Sequence, residues 1–247
     1  MHGHHESWFT ALLNQFLAGP ANAVYQLVGK TPQDPAHPFP DWLATEIFCM
    51  LVIMALAAIV RASLSMDKPG TLQHLFESIY GFVKEQAHDV IGHGSSKFVG
   101  YSATVFLFIV VMNLIGLVPA FESPTMFPWV PLGLAICTFL YYNFWGFKVQ
   151  GVLGYLKHFA GPMWWLAWFM FPLEIISHLI RPMSLTIRLY ANMLAGEQVT
   201  VGFLALVPFL VPVAVMGLHT FVSLLQAFIF MLLTMAYVGG AIEHEEH

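Results

Sequence analysis

The sequence contains very little charge. Only 9% of its 247 residues are Asp, Glu, Lys or Arg, whereas soluble domains average roughly 25%. Because 58% of the residues are hydrophobic, too few polar side chains remain to cover a soluble surface. The composition predicts a membrane protein that crosses the bilayer several times.

Cysteine is also scarce, with two in the whole chain. Cys49 and Cys137 lie in separate apolar stretches, far from any cluster of cysteine and histidine. This spacing indicates neither a disulfide framework nor a zinc site, so we interpret both as small packing residues. His2, His4 and His5 are better explained as part of a solvated terminus than as a metal site. We therefore expect no metal and no cofactor.

Three further patterns are missing from the sequence. Residues 1–6 lack the basic region of a cleavable signal peptide, and the first apolar stretch comes too late, so we expect the first span to remain in the mature protein. A phosphate-binding loop is absent, which disfavours a nucleotide-binding enzyme. No internal repeat is visible, although many self-contained transporters contain one.

Long apolar stretches recur along the chain. About 20 helical residues cross the hydrocarbon core of a bilayer. At 1.5 Å per residue the fourth stretch, with roughly 40 residues, would measure about 60 Å, so it must be bent or strongly tilted. Pro172 and Pro182 can kink it without ending it. Five crossings are predicted, at about 43–60, 98–118, 129–147, 164–207 and 213–238.

Other segments do not have the pattern of a span. Residues 7–19 have leucine and aromatic residues at helical spacing, which predicts a short helix in the membrane interface. In 72–90 charged residues interrupt the apolar ones at the spacing of an amphipathic helix, which we place flat on the membrane surface. Loops or turns rich in proline or glycine are predicted at 31–40, 119–125, 148–157 and 208–212.

These patterns together predict an all-α membrane protein. It has five membrane-crossing helices and one amphipathic surface helix, and the last two crossing helices are long, tilted and packed as a hairpin. We divide its single integral membrane domain into an extracytoplasmic segment 1–41, a first span with the surface helix 42–97, a two-span hairpin with its loop 98–163, and a channel core 164–247.

The basic residues indicate an orientation, because cytoplasmic loops are enriched in Lys and Arg. If the N-terminus is outside, only Lys30 lies on the outer side, while Arg181 and Arg188 lie within the membrane. A break of the fourth helix at Arg181 would instead move the C-terminus outside. We favour the N-terminus outside and the C-terminus in the cytoplasm, which puts six residues on the cytoplasmic side: Arg61, Lys68, Lys84, Lys97, Lys148 and Lys157.

Polar residues form a stripe on each of the last two predicted helices. Residues seven apart on a helix drift by only about 20°, and residues four apart are neighbours. Hydrogen bonds that join helices would explain the serines and threonine equally well. The first stripe contains Glu174, Ser177, Arg181, Ser184, Arg188 and Asn192, and the second contains His219, Ser223, Gln226 and Thr234.

Arg188 needs a different explanation from the serines. A charge at the centre of a spanning helix costs at least about 2.5 kcal/mol, so it is by default a functional hypothesis. Its guanidinium is a permanent cation with five donors, whereas adhesion between helices needs only Ser or Asn. Glu197 lies nine residues, or about 13 Å, toward the outside, and Glu174 lies about 21 Å toward the inside.

The order of these groups predicts two half-pathways for protons. His219 joins Glu197 on the outer side if Gln226 is level with Arg188. Carboxyl and imidazole groups exchange protons near neutral pH in suitable surroundings, whereas guanidinium does not. A proton approaching from either side would be repelled at Arg188. A carboxylate on a separate moving partner must then carry it past, since this chain has no acid at that level.

Three stretches of the sequence resemble subunit a of F-type ATP synthases, of the bacterial type. Residues 184–197 and 226–234 are similar to its two signature helices, and 113–119 at the end of the second span also fits. The resemblance covers about 98–247 and extends to the order of spans in the N-terminal third. It implies a non-catalytic subunit of the bacterial plasma membrane that couples proton flow to rotation and ATP synthesis.

The resemblance also implies roles for individual residues. Arg188 would face the carboxylates of a rotating c-ring, with Asn192 and Gln226 close to it. Glu197 and His219 would belong to the outer half-channel. The cytoplasmic half-channel would contain Glu174, and Ser184, Asn113, His178 and Arg181 are further candidates along the pathway.

One position departs from the family. Gly116 stands where some bacterial members have an acid, and Glu122 nearby is a candidate to replace it. The implied partners are the c-ring, the b subunits of the peripheral stalk, the lipid bilayer and protons, with no nucleic acid. The alternative function is a self-contained proton-coupled transporter.

Overall fold

A computed structural model describes residues 7–27, 37–65, 70–92, 94–118, 121–160, 167–206 and 210–242. Within these ranges it contains seven α-helices, one short 3₁₀ helix and no β-strand, so the all-helical prediction is confirmed. The helices are α1 (Trp8–Leu27), α2 (Asp41–Ala62), α3 (Thr71–Ile91), α4 (Ser96–Ile115), α5 (Trp129–Ala160), α6 (Ala167–Leu206) and α7 (Leu210–Ile242), and the 3₁₀ helix is Pro124–Met126.

Four of the described helices contain a stretch long and apolar enough to cross a membrane. The stretches are Asp41–Ala62, Ser96–Ile115, Trp129–Gly151 and Val211–Ile242. Helix α6 is not among the four, although its 40 residues make it longer than each of them. It contains two glutamates, two arginines and a histidine, so its apolar character is interrupted. A fifth crossing by α6 stays a prediction.

The main core lies where α4, α6 and α7 meet. Five of its large side chains are essentially inaccessible: Ile109 and Met112 from α4, Leu189 and Met193 from α6, and Phe230 from α7. Lipid tails are as apolar as these side chains, so inside a bilayer the helices are held by close packing and hydrogen bonds rather than by exclusion of water.

The consecutive helices α4 and α5 meet through aromatic side chains rather than through close backbone packing. Tyr101 stacks on Tyr141 with ring centroids 3.8 Å apart. Phe98 packs edge-on against Trp145 at 5.1 Å. Because α7 packs against both helices, it lies within reach of the loop side chains that follow α4.

Helices α1 and α3 lie against this core from the N-terminal part of the chain. Asn14 of α1 both donates to and accepts from the backbone of Phe39, at 3.3 and 3.0 Å, which ties α1 to the start of α2. Helix α3 buries Val83 and Ala87 against α4 and α7. Its charged residues Glu77, Lys84, Glu85 and Asp89 are all exposed.

Several predicted boundaries were wrong. The predicted loop 148–157 is helical and belongs to α5, with a kink at Gly151, whose φ of 73° is disfavoured for residues with a side chain. Helix α1 continues past Pro20 to Leu27 instead of ending near residue 19. Pro212 lies in the first turn of α7 rather than in a turn between helices. It is tolerated there because the amide at that position needs no helical partner.

The two cysteines differ. Cys49 is buried in the main core, as predicted. Cys137 is exposed on α5, so its prediction as a packing residue was wrong. Several predicted features lie outside the described residues, among them His2, His4, His5, Lys30, Lys68, Pro208 and the start of the fourth predicted span at 164–166.

Candidate functional site

Helices α6 and α7 pack together and bring the two predicted polar stripes into contact. The Ser223 hydroxyl donates to the sulfur of Met193 at 3.3 Å. At Gly196 the imidazole of His219 lies directly against α6, since a Cβ atom there would be 2.6 Å from the ring. Met193 of α6 thus meets Ser223 of α7, and the later Gly196 meets the earlier His219. The two helices are therefore antiparallel.

Arg188 lies on the exposed side of α6. It makes no hydrogen bond or ion pair with any residue that the structure describes. Three aliphatic side chains within about two helical turns before Arg188 are each more than half exposed: Ile180, Met183 and Ile187. We call these three residues the apolar strip, and Arg188 is exposed beside it. A permanent cation therefore stands alone on an outward-facing aliphatic surface.

Two buried amides lie close to Arg188 along the helices. Asn192 follows it by one turn of α6, and Gln226 lies three residues beyond Ser223 on α7. The Nδ2 atom of Asn192 and the Nε2 atom of Gln226 are buried and find no partner within the described ranges. An unpaired buried donor costs about 1–3 kcal/mol. Adhesion between helices does not account for that cost, so both remain functional candidates.

Glu197 and His219, the predicted outer pair, line one cavity. Its volume is about 60 Å³, which is enough to hold water beside these polar groups. The Nε2 atom of His219 is buried without a hydrogen-bond partner in the described part of the chain. The cavity lies between the end of α4, the segment before α5, and helices α6 and α7; its other walls include Gly116, Ser123, Met126 and Met216.

Glu174, His178 and Arg181, the predicted inner residues, form a second cluster. The Oε1 atom of Glu174 lies 3.4 Å from Nδ1 of His178 and 3.9 Å from Nη2 of Arg181. The Arg181 guanidinium lies over the ring of Tyr237 at 5.2 Å. The ring of Tyr142 packs edge-on against His178 at 5.7 Å. The charge of Arg181 is thus compensated by a carboxylate and by an aromatic face.

The remaining candidates have other surroundings. Asn113 is buried and cross-links two segments: its Nδ2 donates to the Ser223 carbonyl at 3.1 Å, and its Oδ1 accepts from the Thr125 hydroxyl at 2.8 Å. Glu122 is exposed and is not among the described residues that line the cavity. Ser184 is half-buried one turn before Arg188.

Four residues of these two sites were not singled out from the sequence. Tyr142 and Tyr237 lie in apolar helices, where an aromatic residue is ordinarily a packing residue. Ser123 and Thr125 lie in a segment predicted as a plain loop. Only three-dimensional contacts distinguish them, with Arg181 for the tyrosines, with the cavity for Ser123 and with Asn113 for Thr125, so the sequence contained no usable signal for either pair.

Comparison with known proteins decides the family. A family model described as ATP synthase A chain matches residues 43–239, which include both clusters and Arg188. The chain belongs to the ATP synthase subunit a family. Members of this family are non-catalytic, proton-translocating subunits of the membrane sector Fo. This protein is therefore a membrane protein that takes part in ion transport and ATP synthesis.

Individual subunits a are similar over nearly the full chain. The one from Koribacter versatilis is 49% identical over 240 residues, which is 97% of this chain and 98% of that protein. The subunit a of Solibacter usitatus is 52% identical over 234 residues, covering 95% and 100%. That of Sulfurimonas denitrificans is 43% identical over 206 residues, covering 83% and 89%.

Proposed function

We propose that the chain is the stator of the proton channel in a bacterial F-type ATP synthase. Two offset half-channels would deliver protons to the carboxylates of a c-ring and receive them again, with Arg188 between the two. The observation that supports this most directly is the contrast along α6: an exposed, unpaired Arg188 lies between the outer cavity at Glu197 and the inner cluster at Glu174.

In the proposed outer half-channel, Glu197 and His219 hand protons inward. Both line the same cavity, and carboxyl and imidazole groups gain and lose protons under physiological conditions when their surroundings allow it. Asn192 and Gln226, with buried amide groups that lack partners among the described residues, lie between the cavity and Arg188 and would orient the ring carboxylate as it is protonated.

The inner half-channel would begin at the cluster of Glu174, His178 and Arg181. Glu174 lies fourteen residues before Arg188 on α6, which corresponds to about 21 Å along the axis. Its carboxylate has two basic neighbours within 3.9 Å, so it is held in place to accept a proton that leaves the ring. The cytoplasm would receive the proton from there.

Arg188 would separate the half-channels by its fixed charge. Two opposite charges 4 Å apart attract by about 4 kcal/mol at an effective dielectric constant of 20. A ring carboxylate that has lost its proton is therefore held at Arg188 until it moves to the outer path, where it is neutralised again. A free proton is repelled by the same charge, which prevents leakage from one side to the other.

The proposed topology has five crossings, with α6 as the fourth. The four apolar helices and the placement of the basic residues support an N-terminus outside and a C-terminus in the cytoplasm. Helix α3, whose charged residues are exposed, would lie at the cytoplasmic surface. The apolar strip around Arg188 would face the c-ring, and the b subunits of the peripheral stalk would hold the chain in place.

Reconstitution in liposomes tests this proposal against a self-contained transporter. The chain with its b subunits and c-ring should conduct protons under a membrane potential, and the chain alone should not. A fluorescent dye that reports internal pH measures both rates, with empty liposomes as the control. Coupled transport by the chain alone would refute the stator function.

A further inference from the structure

One wall of the outer cavity is formed by a loop segment that is buried like a core helix. Ser123 and Met126 line the cavity opposite Glu197 and His219. Ser123 is 2% exposed, and Thr125 is fully buried. Connecting segments ordinarily run over the surface, because their backbone polar groups need partners. The structure must therefore contain contacts that hold this segment, residues 123–126, in place; we call it the cavity wall.

Hydrogen bonds account for part of this. The Ser123 hydroxyl donates to the Met112 carbonyl at 3.0 Å and lies 2.8 Å from the hydroxyl of Thr125. Thr125 donates in turn to Asn113, and Asn113 donates to the Ser223 carbonyl of α7. A continuous buried chain of polar contacts thus connects the cavity wall to α4 and α7.

A close contact at Gly116 accounts for the rest. A Cβ atom on Gly116 would lie 2.6 Å from Cβ and 3.2 Å from Cα of Ser123. The backbone of Gly116 has φ −65° and ψ −12°, a helical conformation open to any residue. The backbone conformation therefore does not require a glycine at this position. A glycine fits here because Ser123 approaches so closely that no room is left for a side chain. A rotation of the Ser123 side chain cannot relieve the clash, because the position of its Cβ is fixed by the backbone.

We propose that Gly116 and Ser123 are positioning residues for proton uptake. Their contact fixes the distance of the cavity wall from Glu197 and His219 and thereby keeps the outer cavity at its present size. The role in proton uptake rests on the proposed function above. The position of the wall itself does not, so the two can be tested separately.

Thiol labelling measures the position of the wall without any turnover. In the complete Fo complex, Cys49 and Cys137 are replaced by Ala, and Met216→Cys provides a reporter on the opposite side of the cavity. The probe is a small membrane-impermeant thiosulfonate added from the outer side. Gly116→Ala should push the wall outward and raise the labelling rate by about fivefold or more, as expected for overpacking of a tight contact.

The chain offers a matched control and a compensating change. Gly100→Ala, on the same helix with no atom within 4 Å of the new Cβ, should leave the labelling rate and proton conduction unchanged. Gly116→Ala combined with Ser123→Gly removes the clashing Cβ and should return the labelling rate toward that of the parent. Ser123→Ala keeps the Cβ but removes the hydroxyl, so its effect on labelling should be smaller than that of Gly116→Ala.

Each outcome decides the proposal. An unchanged or lower labelling rate in Gly116→Ala would overturn it, as would a double variant that labels like the single one. If Gly116→Ala prevents assembly, restored assembly in the double variant supports the contact, and continued failure overturns it. Normal proton conduction in Gly116→Ala with a raised labelling rate would refute the role in uptake while leaving the channel function of Arg188 untouched.

Discussion

Arg181 and Arg188 lie two turns apart on α6, yet their surroundings are opposite. Arg181 has a carboxylate at 3.9 Å and the ring of Tyr237 at 5.2 Å. Arg188 has neither, and it stands exposed on the apolar strip. Because its own chain compensates the charge of Arg181, we interpret that residue as part of the contacts that hold the helices together. A bare cation in a bilayer is costly, and this cost is the reason for our proposal that Arg188 has a partner outside this chain.

The cause of the difference lies in the neighbouring helices. Helices α5 and α7 supply the aromatic rings that cover the inner part of α6, through Tyr142 and Tyr237. At the level of Arg188 the same helix is left uncovered on one side. Two arginines spaced by seven residues on one helix are therefore equivalent by pattern and different by environment. The four predictions below test how far this difference reaches.

The largest expected effect separates the two arginines directly. Arg188→Gln should lower proton-driven ATP synthesis at least about 100-fold, because it removes an attraction of about 4 kcal/mol for a ring carboxylate. Arg181→Gln should lower it by less than about tenfold, since its charge is already balanced within the chain. ATP synthesis in inverted vesicles measures both, after native gels establish equal assembly. Equal losses in the two variants would contradict the distinction.

The outer cavity should show the next largest effect. Glu197→Gln and His219→Gln should each lower passive proton conduction by about 10- to 100-fold, the usual range for loss of a proton-transferring group. Each variant should also change the dependence of conduction on outer pH, because only one titrating group of the pair remains. Conduction rates at several outer pH values test this. Parental rates and pH profiles in both variants would remove the cavity from the pathway.

The inner cluster offers a matched pair of carboxylates. Glu174→Gln removes the carboxylate of the inner cluster, leaves Arg181 with its aromatic neighbours alone, and should lower conduction by about tenfold. Glu122→Gln is the same chemical change at an exposed residue away from the cavity, and it should have no effect. A loss of conduction in Glu122→Gln that equals the loss in Glu174→Gln would place proton uptake in the loop instead.

The smallest effect is expected for a serine that joins helices. Ser223→Ala removes the hydrogen bond to the Met193 sulfur and should cost about 0.6 kcal/mol of stability, the average for such bonds in membranes. Proton conduction should stay at the parental rate. Thermal unfolding of the solubilised complex measures the first and vesicle assays the second. A tenfold loss of conduction would show that Ser223 belongs to the pathway.

The helices could be predicted from the sequence because crossing a bilayer requires a local property, a stretch of about 20 apolar residues. The predicted spans 43–60 and 129–147 overlap α2 and the first part of α5 closely. The continuation of α5 beyond Gly151 was missed because a single glycine can kink a helix instead of ending it. Local composition does not distinguish these two outcomes.

The candidate site was predictable only in part, for a physical reason. Arg188 stands out in the sequence because a charge within a stretch apolar enough to cross a membrane is costly. Ser123 and Tyr237 do not stand out, since their roles depend on contacts with Gly116 and Arg181 that form only when the chain folds. Periodicity places side chains on a helix face but does not say which other helix covers that face.

The apolar strip has a further consequence for movement. Contacts between aliphatic side chains are individually weak and have no preferred direction, so a neighbouring helix can slide across Ile180, Met183 and Ile187 without breaking a hydrogen bond at any step. If this surface faces a c-ring, as proposed, the ring would move across the aliphatic side chains with little resistance, and Arg188 would supply the charged contact. Under that proposal, resistance to rotation and proton selectivity depend on different residues, so a polar side chain added to the strip would slow rotation even if every proton-transferring group were intact.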